Sequence, residues 1–285
     1  MIFLQISIFS NELNLQKVKE FEKIEICQKA RKDSTNDLCN GLIMFLICLC
    51  LLFGVGYAAE SPLDTLAIDY RSREDLDNYW LPMDHPLRGW VETFFYQPEM
   101  IESVETLKDA GFKILEAHSA HPVIAKHPLA KGYIFKIYPD SMKYTRDGIS
   151  SAEWLLRRCQ VADKIRTIIR SKKIEHFTVP DKWLYRLPFA KHHALILIAT
   201  DMDIEDSVAI KNAWKTKITP RHLDELYAIL SKGYGSIDVL SNIPYTKSGS
   251  FAFIDTENLK RDLSLRRIKK HLSKEMGRYW EKLIE

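Results

Sequence analysis

From Asn242 to Asp255 the chain reads Asn-Ile-Pro-Tyr-Thr-Lys-Ser-Gly-Ser-Phe-Ala-Phe-Ile-Asp, and no other stretch restricts the fold so closely. Ile243–Tyr245 and Phe251–Ile254 are short apolar runs, and Thr246-Lys-Ser-Gly249 between them ends on the glycine of a hairpin turn. Pairing across that turn brings the side chains of Asn242 and Asp255 to one end of the hairpin. Both carry oxygen, the ligand atom that magnesium requires. The plainer alternative is an ordinary hairpin whose Asp255 caps the next turn.

With 285 residues, 46% of them hydrophobic, the chain has material for one large core or two small ones. Its 41 basic and 38 acidic residues leave a net charge of +3, which gives no ground for general nucleic-acid binding. Of the cysteines Cys27, Cys39, Cys48, Cys50 and Cys159, only the last lies beyond residue 60. The body therefore has neither a disulfide framework nor zinc-ligand spacing, and Cys159 reads as a small buried hydrophobe.

Gly41 through Ala59 is an uncharged apolar run, preceded by Lys29, Arg31 and Lys32 and ending in Gly-Tyr-Ala-Ala. It reads as a signal peptide or a membrane anchor, with Met44 as an alternative start that would shorten it. Gly54 and Gly56 weaken a spanning helix and favour the signal. Cleavage near Ala59 would make the protein secreted or an envelope protein; retention would attach it to a membrane through residues 41–59. Residues 1–40 form an N-terminal extension without a domain pattern, with a short helix around Leu13–Gln28 as the alternative.

Residues 60–111 read as an extended arm, rich in Asp, Pro and aromatics through Gln97, then a helix over Pro98–Ala110 stopped by Gly111. Strands are expected at Phe112–Ala117, Pro122–Ala125 and Tyr133–Tyr138. The third holds Lys136 among apolar residues. Buried there, the amine needs an anionic partner; by strand alternation it could equally lie on a wet face. A helix follows from Ser151 to Ile169, opened by Ser150 and Glu153 in capping-box spacing. Arg157 and Arg158 on it stay unassigned. Further strands are expected within Ile174–Tyr185 and at Ala194–Ala199, the latter continuously apolar and so buried, which completes a five-strand sheet. A polar helix around Ala209–Trp214 precedes one opened by Thr219 as N-cap and Pro220. The chain closes with a basic amphipathic helix from Leu263 to Leu283, packed through Ile268, Leu272, Tyr279 and Trp280. Its Arg266, Arg267, Lys269 and Lys270 read as a solvated face, with a membrane surface or acidic partner as the alternative.

This order, with Tyr-Ile-Phe-Lys136-Ile-Tyr, Asn242 and Phe-Ala-Phe-Ile-Asp255, resembles the protein-kinase-like and aminoglycoside-phosphotransferase-like enzymes over residues 112–257. The resemblance implies an α+β, two-lobe fold. Residues 112–204 would be an N-lobe with a five-strand antiparallel sheet and a hinge, and 205–285 a reduced, mostly helical C-lobe. It implies ATP and magnesium as cofactors. Lys136 would hold phosphates and pair with Glu153, the hinge residues Asp201 and Met202 would meet the base through their backbone, and Asn242 and Asp255 would bind the metal.

The chain departs from the family's pattern in several places. The turn Glu116-Ala-His-Ser-Ala-His-Pro122 lacks the glycines that admit phosphate. The carboxylate before Asn242 is Asp238, four positions ahead rather than five. Asp238 is the candidate base or orienting group for a substrate hydroxyl. Thr256-Glu257 stands where protein kinases carry Phe-Gly. The sequence thus points to an exported or membrane-attached kinase-like protein, a Mg-ATP-dependent phosphotransferase acting on an unidentified hydroxyl. The alternatives are a catalytically inactive binding or interaction module with a protein partner, and a structural envelope protein. Export is in tension with ATP, which is scarce outside the cytoplasm.

Overall fold

A strand shows alternate residues to opposite faces, so one buried along its length needs cover on both sides. Leu195 through Ala199 are all buried. In the computed structural model, which describes residues 76–118, 121–142, 148–257 and 263–285, both faces around this segment are covered. The chain is α+β. Its strands are β1 (Lys113–Glu116), β2 (Val123–Lys126), β3 (Tyr133–Ile137), β4 (Phe177–Thr178), β5 (Lys182–Arg186), β6 (Leu195–Thr200) and β7 (Phe251–Ala252). Five form a sheet in the order β1-β2-β3-β6-β5, antiparallel throughout. The helices are α1 (Arg88–Phe94), α2 (Val104–Asp109), α3 (Ser151–Lys172), α4 (Ser207–Thr216), α5 (Pro220–Leu230), α6 (Val239–Asn242) and α7 (Lys274–Ile284).

One face of the sheet, carrying Phe135, Ile137, Ile196 and Ile198, packs on Val91, Phe95 and Leu107 from the region of α1 and α2. The opposite face, carrying Leu184, Leu195 and Leu197, packs on Leu155, Leu156 and Cys159 of α3. Farther along, Val161, Ala162 and Ile165 of α3 enter a second core with Trp214, Leu226, Phe251, Phe253 and Trp280. At 22 residues and 1.5 Å per residue α3 is about 33 Å long, enough to serve both cores. Ser150 caps its start and Lys173, left-handed at φ 53°, ends it.

Several expected elements are divided. The helix expected over Pro98–Ala110 is a 3-10 turn, Pro98–Ile101, followed by α2, because Ser103 turns extended and forms a capping box with Thr106. The span Ile174–Tyr185 becomes β4 and β5 with Val179-Pro180-Asp181 between them; only β5 joins the large sheet, and β4 pairs in parallel with β7. The basic helix expected over Leu263–Leu283 is a 3-10 helix, Leu265–His271, then α7, since Leu272 is extended and Ser273 caps a new start. Within the arm, Trp90, Val91 and Phe94 lie on α1 rather than on extended chain. Residues 1–40, the apolar run 41–59 and the start of the arm lie outside the described residues. No described helix is long and apolar enough to cross a membrane.

Candidate functional site

The hairpin forms as its turn chemistry requires. Thr246 N–H donates to the Ser250 carbonyl, Ala252 N–H to Pro244, and Ile254 N–H to Asn242, at 2.9, 3.0 and 3.0 Å. That ladder sets Asn242, at the end of α6, beside the segment carrying Asp255. Asn242 Nδ2 donates to Ser236 Oγ at 2.8 Å, and Asp238 N–H donates to the same oxygen at 3.1 Å. One serine thus fixes both residues of the loop. Asp238 itself is exposed at the head of α6.

Asp255 is surrounded by cations. Lys136, at the centre of the sheet, is paired in register with Leu197 and buried. Its Nζ lies 3.5 Å from Asp255 Oδ1. Arg158, on α3 and only 2% exposed, donates through Nε to the same oxygen at 3.1 Å and through Nη2 to Glu257 at 2.9 Å. Lys182, at the start of β5, is buried. It donates to the Ile254 carbonyl at 3.1 Å and to Thr256 Oγ1 at 2.6 Å; the Thr256 hydroxyl in turn donates to the Arg158 carbonyl at 2.6 Å. Among the described residues, Nη1 of Arg158 is buried without a hydrogen-bond partner.

Burial alone would raise the carboxyl of Asp255, but Lys136, then Arg158 and Lys182, reverse that and hold it well below the usual carboxylate range. Burial pushes both lysine amines down, that of Lys182 strongly, with Lys136 adding repulsion. Arginine keeps its proton. The centre is therefore an ionised aspartate held by fixed positive charge. Unit charges about 4 Å apart interact by about 4 kcal/mol at an effective dielectric near 20, so any ion entering this place meets large opposing terms.

In front of the hairpin lies a cleft of about 710 Å³, with Ile204, Val208, Leu240, Pro244 and Ile254 as apolar lining and Glu116 and Glu205 among the acidic groups. The segment from β6 to α4 borders it. Asp201 N–H donates to the Gly132 carbonyl at 2.8 Å, and its carboxylate pairs with Lys126; Met202 is half-buried next to it. Asp203, at φ 46°, is clipped to the hairpin turn by Lys247, through an ion pair at 2.7 Å and through Lys247 N–H to its carbonyl at 2.9 Å. The sequence matches no protein-family model and no curated protein. The chemistry is accordingly read from this chain alone.

Lys136 and Asp255 come together. Asn242 reaches the same segment only through its backbone carbonyl, which accepts from Ile254 N–H, while its side chain turns to Ser236. Asp238, Asp201 and Met202 are not among the residues lining the cleft. Glu153 does not join Lys136 and Asp255. It pairs with Arg157 at 2.7 Å, while Lys136 pairs with Asp255. Five residues separate Glu153 from Arg158, a rotation of about 140° around the helix, so the face of α3 that carries Arg158 to the centre carries Glu153 away. Sequence reasoning left Arg158 unassigned and passed over Lys182 and Glu257. Lys182 had a legible signal, since period-two alternation sets it on the same face as the buried Leu184.

Proposed function

We propose that this chain is a protein-kinase-like nucleotide-binding module, exported or membrane-attached through residues 41–59. The observation that carries the reading is the meeting of Lys136 and Asp255, 119 residues apart in sequence, where Asp255 follows Ile254, a residue of the cleft lining. The sheet order and the long helix on its inner face support the two-lobe comparison. In this reading the nucleotide base lies along the Asp201–Met202 backbone, the sugar against Pro244 and Ile254, and the phosphates toward Lys136.

The binding module is favoured over the phosphotransferase because the groups of transfer chemistry are otherwise engaged. Glu153 is committed to Arg157, the amide of Asn242 to Ser236, and the turn after Glu116 has no glycine to admit phosphate. One observation favours transfer: Asp238 is exposed, with its backbone fixed by Ser236, two positions before Leu240 of the cleft lining. There it could accept the proton of a substrate hydroxyl.

Calorimetric titration of ATP into the full chain tests the reading. Saturable binding is expected, weakened at least about tenfold by Ser241→Trp, which fills the cleft from an exposed position. Absence of binding to protein verified as folded refutes it. Phosphate release from ATP in the wild type, lost in Asp238→Asn, would favour transfer.

A further inference from the structure

From Leu263 to Lys274 the chain carries Arg266, Arg267, Lys269, Lys270 and Lys274 and no Asp or Glu. Without these five, the chain's 41 basic residues fall below its 38 acidic ones, so the net positive charge resides in this stretch. The fold turns it to solvent. In the 3-10 helix Leu265–His271, residues three apart lie one above the other, about 6 Å apart. Ile268 is fully buried and Leu265 packs beside it in the helical core, where Trp280 Nε1 donates to the Leu265 carbonyl at 2.9 Å. With that row facing inward, Arg266 above Lys269 and Arg267 above Lys270 form two exposed rows. Lys215 of α4 joins them, donating to the Lys270 and Leu272 carbonyls at 3.0 and 2.7 Å.

The neighbouring acids do not cancel this face. Glu281 pairs with Lys269, whose stem lies against Gly277. Asp238 is close enough to act on His271, and Glu275 lies in the first turn of α7. Among the described residues, Arg266, Arg267 and Lys270 have no carboxylate partner. No described residue from 263 to 285 is a large exposed hydrophobic. The face therefore offers neither the apolar anchor of a protein interface nor an aromatic platform for nucleic-acid bases. Positive charge without apolar contact suits a broad anionic plane. We propose that the 3-10 helix Leu265–His271 docks this protein on an anionic lipid surface through Arg266, Arg267 and Lys270. This goes beyond the nucleotide-binding reading and does not depend on it. The apolar run 41–59, where it is retained as an anchor, would hold the chain at a bilayer and raise the local concentration of headgroups.

The test is sedimentation of the full chain with vesicles of phosphatidylcholine alone and of phosphatidylcholine with an equal part of phosphatidylserine. Insertion of the apolar run is common to both, so the ratio of the two partition coefficients reads the basic face. At about 0.1 M salt that ratio should be at least about tenfold, and it should fall toward one at about 1 M, where the screening length shrinks to about 3 Å. The triple variant Arg266→Gln, Arg267→Gln and Lys270→Gln should lose the preference, at about fivefold per cation near an anionic surface. Lys108→Gln, Lys113→Gln and Lys131→Gln together remove the same charge from exposed positions on α2, on β1 and in the turn before β3, and should leave the ratio within about twofold. Equal partition of the wild type into both vesicles, or an equal loss in the two triple variants, overturns the proposal. So does tighter binding to duplex DNA or polyglutamate than to the mixed vesicles at matched anionic charge, which would give the face to a different partner.

Discussion

Replacing Gly235 with alanine should destabilise the protein by about 2–5 kcal/mol, and the structure separates that figure into two parts. Gly235 has φ +92°, and a Cβ added there would lie 2.8 Å from Cε1 of Phe253 and 3.0 Å from Cδ2 of Leu230. Both neighbours are fully buried in the helical core. The left-handed backbone costs a residue with a Cβ about 1–2 kcal/mol, and forcing extra volume into a packed core costs about 1–3 kcal/mol more. Gly132 supplies the control. Its φ is +85°, yet a Cβ there meets nothing within 4 Å, so Gly132→Ala should show only the backbone part. The assay is urea unfolding of both variants beside the wild type, supported by thermal melts in which each kcal/mol shifts the midpoint by about 2–4 °C for a domain of this size. Equal losses in the two variants would refute the reasoning, since Phe253 and Leu230 would then be free to yield.

Other consequences can be measured in the same way. Burial, and next the neighbouring His176 ring, lower His222 to about 4, so the fold prefers it neutral. Stability should fall as pH drops from 6.5 toward 4, by about 1–2 kcal/mol after allowing for solvent screening, and His222→Phe should remove that slope in urea titrations. Asp255 is depressed below its usual value of 3.8. Its contribution is therefore present above that value and lost as pH falls below it, and the stability gap between wild type and Asp255→Asn should stay level from pH 8 to about 5 and close only under about 3.8. A gap that already closes near neutrality would contradict the ion pairs drawn around it. Ser273 caps α7 through Met276 N–H, and Ser273→Ala should cost about 1 kcal/mol in urea unfolding, with Ser273→Gly milder.

The sequence made the five-stranded sheet legible because its signals are local: alternation around Lys136, the unbroken apolar run of β6, and turn residues between them. The hairpin and the Thr219-Pro220 helix start were legible for the same reason. Breaks caused by a single polar residue were harder. Ser103 and Ser273 each end one helix and begin another by offering the backbone a competing hydrogen bond, and apolar periodicity runs through both without interruption. The two-residue ladder of β4 with β7 left no trace, since its partners are distant in sequence and too short to carry a period. At the candidate site, residue type and order singled out Lys136 and Asp255, which the structure pairs. The charge that meets them was not singled out, because which of Arg157 and Arg158 faces inward depends on how α3 is rotated against the sheet, and adjacent arginines look alike in one dimension.

The clip between Asp203 and Lys247 bears on how any guest would be selected. With Glu205 N–H also donating to the Tyr245 carbonyl, and Ile204 bridged to Thr246, the strip beyond β6 is laced to the hairpin turn instead of hanging as a loose tether. The opening is thereby preset before anything arrives. Little ordering of that strip is left for a ligand to bring about, which favours affinity for a shape that already matches. The same lacing penalises shapes that do not match, because admitting them requires breaking backbone hydrogen bonds. For any ligand that does enter, the spacing of this mouth would be set by a hairpin turn of four residues.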